Sequence, residues 1–176
     1  MVVNPGSRPD QNIEASAPIV RFSDNPALQF VIADLSDAYK QAAANIQRGI
    51  AMEKNGVVLV QDEIKAASPA DVWWQLHTHA QIKIAGDGNS ALLNQGTAKL
   101  QVVLASGSPC RFEVRAAEPL PGTPNPANQK DNPDMRVLAL HFKGARELRV
   151  AVRLIPFEGA TPPQATANVL PLAAWR

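Results

Sequence analysis

Residues 46–64 read IQRGIAMEKNGVVLVQDEI, two runs of alternating side chains on either side of a turn-forming Lys-Asn-Gly. Asn-Gly tolerates positive φ at both central positions of a type I′ turn. A two-residue loop at Asn55-Gly56 predicts a β-hairpin in which Arg48 lies opposite Glu63, as a cross-strand ion pair. In this register one face is apolar, as a half-buried hairpin requires, and consists of Ile50, Met52, Val57 and Leu59.

The same alternation recurs along the chain in runs separated by turn residues, which indicates antiparallel β structure. We expect an all-β antiparallel sandwich of about eight to ten short strands with at most one short helix. That helix, or helical turn, is placed at residues 35–45 behind Ser36 as the N-cap. The sandwich spans residues 1–156, and a Pro-rich C-terminal tail, residues 157–176, is expected to pack on it. The runs typical of strands, besides residues 46–64, are 71–84, 90–93, 97–104, 110–116, 138–142 and 148–154.

Residues 138–142 and 148–154 are predicted to form a second hairpin. A loop of three residues, Gly144–Arg146, keeps the apolar side chains of both runs on one face, whereas a two-residue loop would separate them. Residues 118–133 are rich in Pro and Asn, so they predict a surface loop instead of a core strand.

Composition excludes several classes of function. The 176 residues carry 17 Lys and Arg against 16 Asp and Glu, a net charge of +1, so no nucleic-acid or membrane partner is expected from charge. The single cysteine, Cys110, excludes an intramolecular disulfide framework. The first nine residues lack the pattern of a secretory signal, and no run of 18 apolar residues exists.

One surface stands out as a candidate carbohydrate-binding site. Alternation along residues 71–84 sends Trp74 toward the core and places four other side chains together on the opposite face: Trp73, Gln75, His77 and His79. An exposed indole beside neutral donors and acceptors suits a sugar ring. For Trp73 itself, packing beneath the Pro-rich loop or the tail is favoured over exposure, and self-association of this face is a further outcome. We expect no metal there, because no third ligand stands at a telling spacing.

Other reactive side chains favour structural roles. Asp62 and Glu63 are neighbours in a strand and face opposite ways, so Glu63 is assigned to Arg48 and not to a catalytic acid pair. Tyr39, the single tyrosine, is expected to be buried with a bonded hydroxyl, and Cys110 to lie in the core. No complete catalytic constellation and no cofactor motif is found, so the expected sets of catalytic residues, metal ligands and cofactors are empty.

Several segments, in their order and spacing, resemble the C-terminal β region of heparinase II/III-like polysaccharide lyases. The resemblance covers residues 2–156 and rests on DLSDAY (34–39), RGI (48–50), GVVLVQDEI (56–64), WQLHT (74–78), ALL (91–93), LQVVL (100–104), FEV (112–114), the Pro/Asn-rich loop, RVL (136–138) and VAVRL (150–154).

Those lyases cleave acidic polysaccharides by β-elimination at a uronic acid, using residues of an N-terminal helical toroid and the first part of the β region. The resemblance therefore implies a C-terminal portion, with residues 2–6 continuing a strand that starts upstream. It implies a non-catalytic accessory domain that supports the toroid and contacts acidic polysaccharide, in a periplasmic or secreted protein. The alternative is a free-standing carbohydrate-binding or protein-interaction module. The least favoured function is an autonomous lyase that uses Tyr39, His77 and His79.

Overall fold

The computed structural model describes residues 1–42, 45–53, 56–106, 109–163 and 169–176. Within these residues it forms ten β-strands and one 3-10 turn. No helix among the described residues is long and apolar enough to cross a membrane. In chain order the elements are β1 (Val2–Val3), β2 (Ile19–Ser23), β3 (Gln29–Asp34), β4 (Asn45–Met52), β5 (Val58–Thr78), β6 (Gln81–Ile84), β7 (Ser90–Gln95), β8 (Ala98–Leu104), β9 (Glu113–Ala116), β10 (Arg136–Pro156) and the 3-10 turn Leu172–Ala174.

All strand pairs are antiparallel and belong to one sheet. The order is β2-β3-β4-β5-β10-β8-β7-β6, with β1 added to β5 and β9 added to β10. The largest cluster of buried side chains joins β4, β7 and β8 to both halves of β5 and β10, so the sheet curves around a shared core. The all-β antiparallel class expected from the alternation is confirmed.

The second hairpin predicted from the sequence does not form, because both of its arms lie in one long strand. Residues 138–142 and 148–154 belong to one 21-residue strand, β10, which pairs with the equally long β5 on both sides of a bend. The pairing shifts between Phe142 and Glu147, where Gly144 has a φ of 65°. Phe142 and Leu148 both have even residue numbers, so alternation along one strand places their side chains on the same face. The three-residue hairpin would do the same, and the apolar pattern therefore fits both arrangements. The expected turn at Gly144–Arg146 is therefore wrong.

The β4–β5 hairpin exists, but its register is one residue away from the prediction. Glu53 N donates to Val57 O at 2.7 Å, so three positions separate the paired ends, and Gly56 supplies the positive φ of 74°. Lys54 and Asn55 lie outside the described residues. Arg48 consequently pairs with Asp62, not with Glu63. A three-residue loop that ends on a glycine is the next commonest hairpin connection after the two-residue type.

The register shift also reverses the predicted faces of this hairpin. Leu59 lies opposite Ala51, and both are buried, whereas Ile50 and Met52 are 42% and 47% exposed. The predicted apolar face of Ile50, Met52, Val57 and Leu59 is therefore wrong. The side of β4 that carries the small residues Gly49 and Ala51 is buried, because Leu172 and Trp175 of the C-terminal tail pack against it.

The remaining hairpins and loops agree in part with the sequence predictions. The predicted runs 71–84, 90–93 and 97–104 contain or overlap β6, β7 and β8, which pair as the hairpins β6–β7 and β7–β8, although the first run is divided after Thr78 into β5 and β6. Residues 36–42 form successive turns in place of a helix, with Tyr39 N donating to Ser36 O, while residues 43–44 lie outside the described part. The Pro/Asn-rich residues 118–133 contain no strand, as predicted, and Leu120 anchors them to the sheet.

Candidate functional site

The candidate surface forms where β5, after its bend, pairs with β10. Trp73, Gln75 and His77 lie on the face opposite the main core, which contains Trp74 and Leu76 as alternation predicts. Their cross-strand partners on β10 are His141, Ala139 and Val137. Ala117 and Leu120 of the following loop pack against this face.

Trp73 does not offer a free ring to a ligand. The indole is only 7% exposed, and it stacks on the His141 ring at a centroid distance of 3.7 Å and an interplanar angle of 14°. The Arg115 guanidinium lies 4.9 Å from the ring centroid, and Leu120 of the Pro-rich loop shares the same buried cluster. Trp73 therefore packs beneath the loop, which is the role favoured from the sequence.

Gln75 and His77 line an open groove between β5 and the Pro-rich loop. The groove has a volume of about 330 Å³, and its other polar side chains are Asp10, Glu118, Thr123, Gln129 and Asn132. A neighbouring groove of about 440 Å³ shares Glu118, Gln129 and Asn132. Amide and hydroxyl groups dominate this lining, and they can donate to and accept from a polar ligand. The two carboxylates on its border disfavour a dense polyanion.

His79 lies apart from the groove, in the bend between β5 and β6. Its ring is exposed, and Nδ1 lies 3.3 Å from the carbonyl oxygen of Asp134. Within the described ranges no group of three or more His, Cys, Asp or Glu side chains is gathered around a common point. His77 and His79 thus bring no third metal ligand with them there.

His141 and Arg115 complete the environment of Trp73, and the sequence reasoning missed both. His141 Nε2 lies 3.4 Å from Asp71 Oδ2, and Cys110 Sγ donates to the His141 carbonyl at 3.3 Å. In the run LALHF (138–142), His141 alternates with Leu140 and Phe142, so its side chain faces away from theirs. This pattern became informative only once β10 was known to pair with β5.

Arg48 and Asp62 form a bidentate ion pair next to the main core. Arg48 Nε donates to Asp62 Oδ1 at 2.7 Å and Arg48 Nη2 donates to Oδ2 at 2.9 Å, while Asp62 has no exposed surface. The hydrogen bond to Asp62 raises the pKa of Arg48. Glu63, the predicted partner, instead accepts from Arg149 Nε at 3.0 Å.

Tyr39 lies close to this pair and is buried, as expected. Its hydroxyl donates to the Met1 carbonyl at 2.9 Å and accepts from Gln11. Burial raises the pKa of Tyr39 above the ordinary value of 10.0. A phenol with a raised pKa is neutral near pH 7. A tyrosine that acts as a general base needs the opposite change, a pKa lowered toward 7.

The sequence matches the family described as "Heparinase II/III-like, C-terminal" over residues 7–165. The chain belongs to this family. The resemblance described from sequence is therefore confirmed, and only its boundaries differ. A comparison with curated protein sequences returns no match.

Solved structures with a similar fold come from the same group of enzymes. The heparan sulfate lyase HepC of Pedobacter heparinus aligns with a TM-score of 0.62 and 14% identity, over 86% of this chain and 23% of that one. A structure of heparinase III aligns with a TM-score of 0.64 and 11% identity, over 90% of this chain and 24% of the other. The chain thus spans about a quarter of the length of these structures, and identities this low establish the fold alone.

Proposed function

We propose that this chain is a non-catalytic accessory β domain of a heparinase II/III-like polysaccharide lyase, which supports the helical catalytic toroid of the same protein. The family match over residues 7–165 carries the proposal. The chain corresponds to 23–24% of the similar lyase structures, which leaves most of such a protein to supply the elimination chemistry. A periplasmic or secreted location follows from the proposal, because the polymer lies outside the cytoplasm.

The isolated chain is expected to have no lyase activity. Elimination creates a C4–C5 double bond that absorbs in the ultraviolet, so activity is measured directly as an absorbance increase with heparin, heparan sulfate or alginate. We expect no increase over a protein-free control. An absorbance increase that is lost in Tyr39→Phe or His77→Ala would show an autonomous lyase and overturn the accessory role.

We further propose that the groove lined by Gln75 and His77 contacts hydroxyl groups of the polysaccharide, with His79 as a separate exposed contact in the bend between β5 and β6. Support comes from the amide-rich lining and from the exposure of both histidines. In this proposal Trp73 contributes indirectly, because its stacked ring supports the strand that presents Gln75 and His77.

A glycan array with the full chain tests this contact. We expect weak binding of oligosaccharides, reduced about two- to tenfold in Gln75→Ala and in His77→Ala because each loses one net hydrogen bond. Lys83→Ala, an exposed change on β6, is the matched control and should bind like the unmodified chain. Binding that is equal in all four proteins would exclude the groove.

A further inference from the structure

The last described segment, residues 169–176 (VLPLAAWR), packs on the sheet beyond the residues that the family match covers. Leu172 is 1% exposed and Trp175 is 4% exposed, although neither lies in a strand. The 3-10 turn between them has three residues per turn, which brings side chains 172 and 175 to the same side. The segment therefore presents two apolar anchors to the sheet at a spacing of three.

The surface that receives these anchors is a shallow groove across β3, β4, β5 and β10. Three small residues allow close approach along it: Gly49, Ala51 and Ala151. Larger apolar side chains complete the cluster: Phe30, Ile32 and Leu59. Trp175 contacts the Phe30 ring edge to face, with centroids 5.6 Å apart. A Cβ atom at Gly49 would lie 2.4 Å from Leu172 Cδ2 and 2.8 Å from the Trp175 ring, so only glycine admits both anchors.

Polar side chains of the sheet bond the backbone of the same segment. Gln61 Nε2 donates to the Leu170 carbonyl at 3.0 Å, and Glu63 Oε1 accepts from Leu172 N at 2.9 Å. Arg21 donates to the carbonyls of Leu172 and Ala173, both at 3.4 Å, and to that of Trp175. Backbone hydrogen bonds for affinity and side-chain pockets for specificity are the two components of peptide-recognition sites.

We propose that this groove is a peptide-recognition site for a segment with two apolar anchors three residues apart, the second of them aromatic. In this molecule the occupant is the chain's own residues 169–176. The groove binds the same segment supplied as a separate peptide once the tethered copy is disengaged. This function is independent of polysaccharide contact, since Gly49, Arg21 and Gln61 take no part in the groove beside the Pro-rich loop.

The test uses the full chain with Trp175→Ala and a fluorescent peptide of sequence VLPLAAWR, followed by fluorescence anisotropy. We expect the variant to bind the peptide about tenfold or more tightly than the unmodified chain, in which the tethered segment competes at an effective concentration of about a millimolar. A peptide with alanine in place of its tryptophan should not bind. Equal affinity of the variant and the unmodified chain, or equal affinity for both peptides, would overturn the proposal.

Gly49 provides a matched control. Adding Gly49→Ala to the Trp175→Ala chain should abolish peptide binding, because the new Cβ occupies the position of both anchors. Adding Gly86→Ala should leave binding intact, because a Cβ there has no atom within 4 Å. Binding that survives Gly49→Ala would place the peptide elsewhere and refute the groove.

Gly49→Ala alone keeps the result interpretable if Trp175→Ala fails to fold. Hydrogen exchange of residues 169–176 should then be faster than in the unmodified chain, while Gly86→Ala should exchange at the unmodified rate. Unchanged exchange in Gly49→Ala would mean that the tail does not depend on this groove, which contradicts the proposal.

Discussion

At the scale of single residues, the pairing of Asp62 with Arg48 shows how one register decides the fate of a buried charge. Asp62 has no exposed surface, and the Arg48 side chain is 30% exposed. A buried carboxylate is tolerated only when its charge is paired and hydrogen-bonded, and here both oxygens accept from one guanidinium. Removing either partner would leave a charge that little water can reach.

Asp62→Asn should lower the free energy of unfolding by about 2–3 kcal/mol, below the 3–5 kcal/mol of a fully buried pair because Arg48 keeps some contact with water. Chemical denaturation measures this change. Asp37→Asn is the matched control, since its partner Lys40 and Asp37 itself are 58% and 50% exposed, and it should cost at most about 0.5 kcal/mol. Similar costs for the two variants would contradict the burial of Asp62.

Tyr39 gives a second prediction at this scale, because it is the single tyrosine and its phenolate absorbance can be titrated alone. Burial raises its pKa, so the titration midpoint of the folded chain should lie above 10.0 and return toward 10.0 in denaturant. The neutral phenol stabilises the fold fully below pH 10.0, and this contribution is lost as the pH rises through the folded pKa. Tyr39→Phe should remove that alkaline loss. A midpoint at or below 10.0 would contradict the burial.

At the scale of strands and turns, Gly56 ends the loop of the β4–β5 hairpin in a left-handed conformation. Its φ of 74° lies in the left-handed region, and a Cβ there would meet only Pro156 at an ordinary 3.9 Å. Gly56→Ala should therefore cost about 1–2 kcal/mol of unfolding free energy through backbone strain alone. Gly86→Ala, at a position without positive φ, serves as the control and should change stability by less than about 0.5 kcal/mol. Equal effects would argue against the positive φ at Gly56.

Strand positions were predictable where alternation reflects burial directly, whereas β2 and β3 lie outside the predicted runs. The hairpins β6–β7 and β7–β8 illustrate the predictable part. The β4–β5 register was not predictable in the same way, because a glycine with positive φ suits both two- and three-residue loops. The burial of Gly49 and Ala51 depends on Leu172 and Trp175, more than 100 residues away along the chain. No local pattern contains that information.

The candidate site was predictable only in outline. Trp73, Gln75 and His77 do share a face, as alternation indicated. The ring stacking of Trp73 on His141 depends on the pairing of β5 with β10, and His141 falls in the segment that was predicted to turn into a hairpin. The sequence thus indicated the cover of Trp73 by the Pro-rich loop, but not its stacking on His141.

At the scale of the whole molecule, β5 and β10 bind the two halves of the sheet into one unit. Each runs for 21 residues through both halves, so neither half has a complete set of strands of its own. We expect the most protected amides of residues 58–65 and 72–78 to exchange with the same opening free energy, which equals that of global unfolding. Native-state hydrogen exchange measures both sets at once. Exchange of one set through a distinctly cheaper opening would show that the halves unfold separately.

The same two strands also determine the order in which the chain can fold during synthesis. β5 ends at Thr78 and β10 begins at Arg136, so a nascent chain leaves the edge of β5 that faces β10 unpaired for roughly 3–12 s at ordinary elongation rates of about 5–20 residues per second. Pairings so distant along the chain raise contact order and slow folding. During that interval the open edge of β5 is a template for pairing with other chains. Yields of folded protein should therefore depend on chaperones, low temperature and low concentration.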